Sequence, residues 1–491
     1  MDLPFIRESS AGAESSVFDV QIFRPPLLKI HQTHFLSFPT SNFAIPPQLP
    51  ITKVMPPINR LPVEILGEIF MQFLQLGDFE WPREGHFISV SSKWIASPMI
   101  LGQVCGYWRS VALSTPSLWC SIAVLDPIKS DIPTIRAWLE RAAPHPLNIW
   151  FEESFHADRH RQKVTNSIIS LFLEHYHSWR HIYFDVFGYA IKPLINIQGA
   201  PPMLESADIQ LRESDGENHM NVDVDSLWRI IHSSPRLSQV NWHRTYANVR
   251  QFPTHIPWNQ LKKLNLLHRF ETGELCAVVE QCTQIEELHI QSVEFPSTSP
   301  PSTPIRLLHL RYLTIHAKTS LHAVFNRLLT PALEMIAITY ALPGEDYRGA
   351  WEFGNFLRRS FCSLKSFSFY DPHGEDVLGF LFHSQRQMDL LEVLSVGTSL
   401  SPETIAALTL NSSSEFQLLP RLKMLTLPIS STSQDIVPMI SSRLPGHVGR
   451  LEAVEALRLV QVGIKPGLPI PSELVAMNNE RIHIKVYQLL Q

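Results

Sequence analysis

Apolar residues return along most of the chain with the spacing Leu-x-x-Leu-x-Leu, other apolar side chains standing in at some positions. The pattern occurs as "LSQVNW" from 237, "LKKLNL" from 261, "IEELHI" from 285, "LRYLTI" from 310 and "LEMIAI" from 333. It continues as "LKSFSF" from 364, "LEVLSV" from 391, "LKMLTL" from 422 and "VEALRL" from 454, with a weaker copy, "LESADI", from 204. The steps run from 23 to 33 residues. Each copy predicts a short strand, because the last two apolar positions are two apart. Between copies the apolar period lengthens, and "DSLWRIIHSS", "GELCAVVEQC", "SLHAVFNRLL", "GAWEFGNFLRRSF", "EDVLGFLFHS", "SPETIAALTL" and "SQDIVPMISS" predict helices. One strand and one helix per step leave each unit with an apolar face it cannot cover alone, so the units must stack. Residues 131–190 fit the start of the same α/β repeat, with helices in "TIRAWLERA" and "SIISLFLEHYHSW" and strands in "PLNIWFE" and "RHIYFDV". "RIHIKVYQLL" suits a terminal strand or cap.

Ahead of this array the pattern differs. Residues 1–56 carry recurring prolines ("FRPP", "IPPQLPI", "MPPI") and no sustained period, and are expected to form a poorly ordered leader. In "LPVEILGEIFMQFL", Leu61, Ile65, Leu66, Ile69, Phe70, Phe73 and Leu74 make one wide apolar face, with Pro62 at the helix start and Glu64 and Glu68 early, where the dipole favours them. A polar connection over 76–97 leads to a second helix after Pro98, on which Leu101, Val104, Cys105, Trp108, Val111 and Ala112 share a face. "SLWCSI" forms a third short element. The spacing alone predicts a small three-helix domain over 57–125, followed by the array over 126–491.

These blocks together resemble an F-box, and most closely the F-box proteins abundant in mushroom-forming fungi. That family's pattern of Leu-Pro-x-Glu-Ile-Leu, Val-Cys-x-x-Trp-Arg and Ala-Leu-Ser-Thr-Pro-x-Leu-Trp is met at Leu61, Pro62, Glu64, Ile65 and Leu66, at Val104, Cys105, Trp108 and Arg109, and at Ala112 to Pro116, Leu118 and Trp119. The likeness covers about 60 residues. Gly106 and Tyr107 depart from it, standing where the family commonly carries basic residues, and a glycine inside a helix costs roughly 1 kcal/mol. The resemblance implies that Leu61, Pro62, Ile65, Leu66 and Ile69 dock on the Skp-type adaptor of a cullin-based ubiquitin ligase, while Trp108 and Trp119 belong to the domain's own core. It further implies a substrate receptor without catalytic residues.

The array reads as an irregular leucine-rich-repeat-like solenoid. The Asn or Cys usual after Leu-x-Leu is missing, as in "LKKLNLLHR". By register, the open face of its strands presents Asn241, His243, Lys263, Asn265, Glu287, His289, Tyr312, Thr314, Tyr370, Ser395, Thr426 and Arg458. Of these, His243, Lys263, Asn265, His289, Tyr312, Tyr370 and Arg458 are the candidates for holding a protein substrate.

Composition narrows the function further. Apolar residues make up 44% and charged residues 18% of 491, and the net charge of −5 is mild, so neither nucleic acid nor an anionic membrane is an expected partner. Five scattered cysteines argue for a reducing compartment, cytoplasmic or nuclear. The histidines of "HADRH" and "HYHSWRH" lack the glutamate or ligand spacing of a metal site, and no phosphate-binding or nucleophile motif occurs, so no cofactor is expected. A scaffold whose F-box-like segment merely caps the array is the competing expectation. Burial of Leu61, Pro62 and Ile65 against the repeats is its mark.

Overall fold

The computed structural model of the chain describes residues 57–74, 98–142, 144–153, 159–212, 220–242, 252–295, 303–340, 349–371, 377–398, 400–411, 417–429, 436–448, 454–464, 472–478 and 482–488. The leader over 1–56, the connection over 76–97 and the candidate His243 lie outside the described residues. Residues from Pro56 onward form one compact unit.

That unit is an α/β structure built on a fourteen-stranded sheet that does not close. The strands are β1 Ser121–Leu125, β2 Leu147–Glu152, β3 Trp179–Phe187, β4 Ser206–Arg212, β5 Gln239–Asn241, β6 Lys263–Glu271, β7 Glu287–Phe295, β8 Tyr312–Ala317, β9 Met335–Tyr340, β10 Ser366–Tyr370, β11 Val393–Val396, β12 Met424–Ile429, β13 Leu459–Ile464 and β14 His483–Gln488. Each pairs in parallel with the next in chain order, so position in the sheet follows position in the sequence. Parallel neighbours need a crossover. Helices supply most of them: α4 Asp131–Ala142, α5 Arg159–Glu174, α6 Met220–His232, α7 Thr272–Gln281, α8 His322–Arg327, α9 Gly349–Ser360, α10 Leu378–His383, α11 Pro402–Leu408, α12 Ile436–Ser442 and α13 Ser472–Met477. They follow three helices of the N-terminal segment, α1 Val63–Phe73, α2 Pro98–Val104 and α3 Gly106–Ser114. No helix among the described residues is long and apolar enough to cross a membrane.

The apolar triplets form the core. Leu261, Leu264 and Leu266 are buried, as are Leu310, Leu313 and Ile315, Leu333, Ile336 and Ile338, and Leu422, Leu425 and Leu427. Along β8, β9 and β10 every second residue is buried and the intervening ones are partly exposed. One face of these strands therefore lies in the core and the other is left open. The last copy differs from its sequence reading. Leu457, Val460 and Val462 occupy the buried positions, so β13 starts at Leu459, three residues later than a copy beginning at Val454 requires. The sheet also starts earlier than the sequence suggests: "SLWCSI" is a short 3-10 turn, Pro116–Trp119, followed by β1, which pairs with β2.

The residue after the first leucine of each copy forms a second regular feature. It alternates in sign along the sheet: Arg180, Glu205, then Lys262, Glu286, Arg311, Glu334, Lys365, Glu392 and Lys423. Arg180 meets Glu205 at 3.1 Å, Lys262 meets Glu286 at 2.9 Å, Arg311 and Lys365 both meet Glu334 at 3.0 and 3.3 Å, and Lys423 meets Glu392 at 2.8 Å. The backbones at these positions are joined too. The Lys262 carbonyl accepts the N–H groups of both Glu286 and Glu287, and the Glu286 carbonyl those of Arg311 and Tyr312. Slight burial raises the Glu334 carboxyl, but Arg311 and Lys365 outweigh it and hold it below the usual range. These pairs are partly solvated and individually weak; their effect is on register, since a strand slipped by one residue would pull most of the opposite charges apart. Glu334→Lys places three cations in a row, and is expected to lower the melting temperature, with the loss shrinking in high salt. A salt-independent loss, or none, would show that the ladder is inert.

Candidate functional site

Helix α1 has two apolar stripes rather than one. At about 100° per residue, Leu66, Phe70 and Leu74 fall on one side and are buried. Pro62, Ile65, Ile69 and Phe73 fall on the adjoining side and are bare: Pro62 is exposed, and the other three are 51%, 39% and 64% exposed. Leu66 is thus a correction to the docking set. It faces Phe70 and the core, and no partner reaches it on the folded surface. Leu61 is half-buried, and its carbonyl accepts the Tyr107 hydroxyl at 3.2 Å. The turn before α1 is held from the same helix, because Trp108 Nε1–H donates to Asn59 Oδ1 at 2.8 Å while its ring packs on Phe70 at 4.9 Å.

The second helix of the sequence reading is two helices. Cys105 is extended (φ −161°, ψ 169°), and its Sγ accepts the Trp108 N–H at 3.4 Å, which caps α3. Gly106 is consequently the first residue of α3, and the interior penalty expected for it does not arise. Val104, placed by the period on the apolar face, sits at this break and is exposed, beside Met99 and Ile100 of α2. Nine of the seventeen exposed large hydrophobic side chains among the described residues fall between Ile58 and Leu113. Such a concentration on so short a segment makes it the first candidate for an interaction surface.

This segment is firmly joined to the sheet. Trp119 is buried, donates from Nε1 to the Ala112 carbonyl at 2.8 Å, meets Trp138 of α4 edge-on at 5.1 Å and carries the Arg141 guanidinium 4.6 Å above its ring. The Cys120 carbonyl accepts the Asn148 N–H of β2.

The second candidate surface is the open face of the sheet. Strand register brings Asn241, Asn265, His289 and Thr314 into one row and Lys263, Glu287 and Tyr312 into the next. Asn241 donates to Asp208 Oδ2 at 3.0 Å, and Lys263 Nζ meets Glu287 Oε2 at 3.0 Å. His289 packs edge-on against His316 at 5.5 Å, and burial, reinforced by His316, pushes its imidazole down to about 4. Arg311 lies 5.5 Å over the Tyr312 ring. Tyr370, 43% exposed, lies directly against Gly397, where a Cβ would come within 2.1 Å of the tyrosine ring. Gly397 is therefore what allows that ring to lie across the neighbouring strand. Arg458 does not join these rows. It precedes β13, is exposed, and its carbonyl accepts the His483 N–H; the later start of β13 moves it off the open face.

The residues that sequence reading missed are Phe73, Met99 and Ile100 on the apolar surface and the alternating charges beside the strands. The charges were visible as the second letter of each copy. No protein-family model matches the chain, and no curated protein matches it either.

Proposed function

We propose that the chain is a substrate receptor of a Skp–cullin–F-box ubiquitin ligase, with the bare stripe of α1 as the adaptor plug and the open sheet face as the seat of a protein substrate. The observation that carries this reading is the pairing of stripes on one helix, Leu66, Phe70 and Leu74 inward and Pro62, Ile65, Ile69 and Phe73 outward. A helix that only served its own core would not need the second stripe. The outward position of Pro62, Ile65 and Ile69 supports the docking that the F-box resemblance implies for them, though not for Leu66, and the strand-by-strand growth of the sheet suits a leucine-rich-repeat-like solenoid. Burying one such side chain contributes roughly 1.5–3 kcal/mol, so a few anchors can dominate affinity. No catalysis is required of this chain. Its role is to hold substrate lysines at high effective concentration near the ubiquitin-charged enzyme.

The scaffold reading has support of its own, since the Trp119–Trp138 contact makes the helical segment a cap on the sheet. Capping and docking use different residues, which allows a clean test. The full chain is titrated with a purified fungal Skp-type adaptor beside the Ile65→Glu, Ile69→Glu double variant. The expected result is nanomolar to micromolar binding by the wild type, weakened about 100-fold or more in the variant. The melting temperature should move far less than the affinity, because both side chains point outward and are already about half exposed. Equal binding by the two proteins, or none by a folded wild type, would leave only the cap.

A further inference from the structure

The joint between β5 and β6 lacks the ion pair found along much of the sheet. Ser238 stands at the ladder position there, and β5 pairs through three residues on each side. The joint is held by a chain of side-chain hydrogen bonds instead. Trp242 Nε1–H donates to His232 Nε2 at 3.0 Å, His232 Nδ1 lies 2.9 Å from His255 Nδ1, and His255 Nε2 lies 3.0 Å from Asp225 Oδ1. Asp225 and His232 are two turns apart on α6, and His255 lies in the connection that leads into β6.

The direction of every bond follows from the indole, which can only donate. His232 Nε2 must accept, so its proton is on Nδ1. That proton points at His255 Nδ1, which must therefore accept, and the His255 proton is on Nε2, donated to Asp225. Each tautomer is fixed by its neighbour. Phe252 and Trp258 of the same connection pack on Trp242 at 6.0 and 5.6 Å, and Gln260 Nε2 donates to the Ser234 and Leu237 carbonyls at 2.9 Å each.

We propose that the Trp242–His232–His255–Asp225 chain is an acid-sensitive clasp, which holds the connection over 252–262 on α6 while the His232 imidazole is neutral and opens when that ring takes a second proton. A second proton on His232 must go to Nε2, where it meets the Trp242 N–H. Two donors then face each other with no acceptor between them. His232 is 4% exposed, and burial pushes it down to about 3, helped by His255 and opposed by Asp225. Among the described residues, Arg229 of α6 meets the Asp225 carboxylate at 3.1 Å and so shares it with His255. Trp242 and Gln260, from the other packed segments, are uncharged.

The sign follows from the depressed value. The closed state refuses a proton that an open, solvated imidazole binds near pH 6.5. Opening is therefore unaffected above about pH 6.5, and becomes about tenfold more favourable per pH unit below it, until His232 itself protonates near pH 3. The connection runs directly into Lys263 and Asn265, so acid would loosen the register of the open-face rows at β5 and β6 first.

Hydrogen–deuterium exchange on the full chain, corrected for the intrinsic pH effect, tests this. Between pH 7.5 and 5.0 the protection of residues 252–262 should fall about 30-fold, while β8 and β9 hold. In a His232→Gln, His255→Gln variant that selective fall should vanish. Nitrogen-15 spectra of the wild type at pH 7.5 should independently place the proton of His232 on Nδ1 and that of His255 on Nε2, which keeps the proposal testable if the variant does not fold. The opposite tautomers, an acid-insensitive connection, or the same fall in a folded variant would each overturn the clasp.

Discussion

Arg443→Ala is expected to destabilise the chain by about 3–5 kcal/mol, seen as a large drop in the urea midpoint. The Arg443 side chain is fully buried and has no carboxylate partner among its hydrogen bonds. Nε donates to the Leu408 carbonyl at 2.7 Å, Nη1 to that of Leu419 at 2.9 Å and Nη2 to that of Leu418 at 2.7 Å. Burial pushes the guanidinium down to about 10, yet it stays charged at neutral pH. One fork thus caps the C-terminal end of α11 and fixes the turn at Leu419, which has a left-handed φ of 52° that a leucine rarely adopts. Alanine removes the fork's donors from the Leu408 and Leu418 carbonyls, leaves the Leu419 carbonyl with only the Leu422 N–H at 3.3 Å, and opens a cavity beside a strained turn. Arg443→Lys should recover little, because one ammonium on a flexible stem cannot span three carbonyls in a plane. The same device recurs one way along the stack: Arg359 at the end of α9 donates to the Phe325 and Leu328 carbonyls at the end of α8. An unchanged midpoint in Arg443→Ala would mean that water replaces the fork without cost.

Trp119→Ala is the second large effect, again about 3–5 kcal/mol for a buried indole. Its consequence is directional. Trp119 is where α1 to α3 meet α4, through the Trp138 contact and the Arg141 guanidinium. Losing it should detach the helical segment before the sheet melts, so that two unfolding steps replace one. Hydrogen exchange should show faster exchange in α1 and α3 with β6 to β12 unchanged. A single cooperative step with uniform loss would place Trp119 in a core shared evenly by both parts.

Much of this architecture was legible because a buried strand needs apolar residues at fixed spacing. The triplets at Leu204, Leu237, Leu261, Ile285, Leu310, Leu333, Leu364, Leu391 and Leu422 located the starts of nine strands. The tenth failed for a physical reason: Val454 and Leu457 are three apart, so both satisfy the spacing, and only packing chooses Leu457. Strand β1 was hidden because it follows the Pro116–Trp119 turn at once, leaving too short a run to show alternation. The width of the α1 face was readable, but not its division. Leu66 and Ile65 are equally apolar and adjacent, and which one meets the core depends on where α3 lies. The charge ladder stood in plain view as "LKK", "IEE", "LRY", "LEM", "LKS", "LEV" and "LKM", and a search for apolar periods does not read it. The His232–His255 contact left no trace, since 23 residues and two elements separate the rings.

The outward stripe of α1 carries the proposed function, and hydrogen exchange with and without saturating Skp-type adaptor tests its role most directly. Docking through Pro62, Ile65, Ile69 and Phe73 predicts new protection over 58–73, with the amides of β6 to β12 unchanged. A folded chain that gains no protection there, at adaptor concentrations that saturate a known F-box protein, would contradict it.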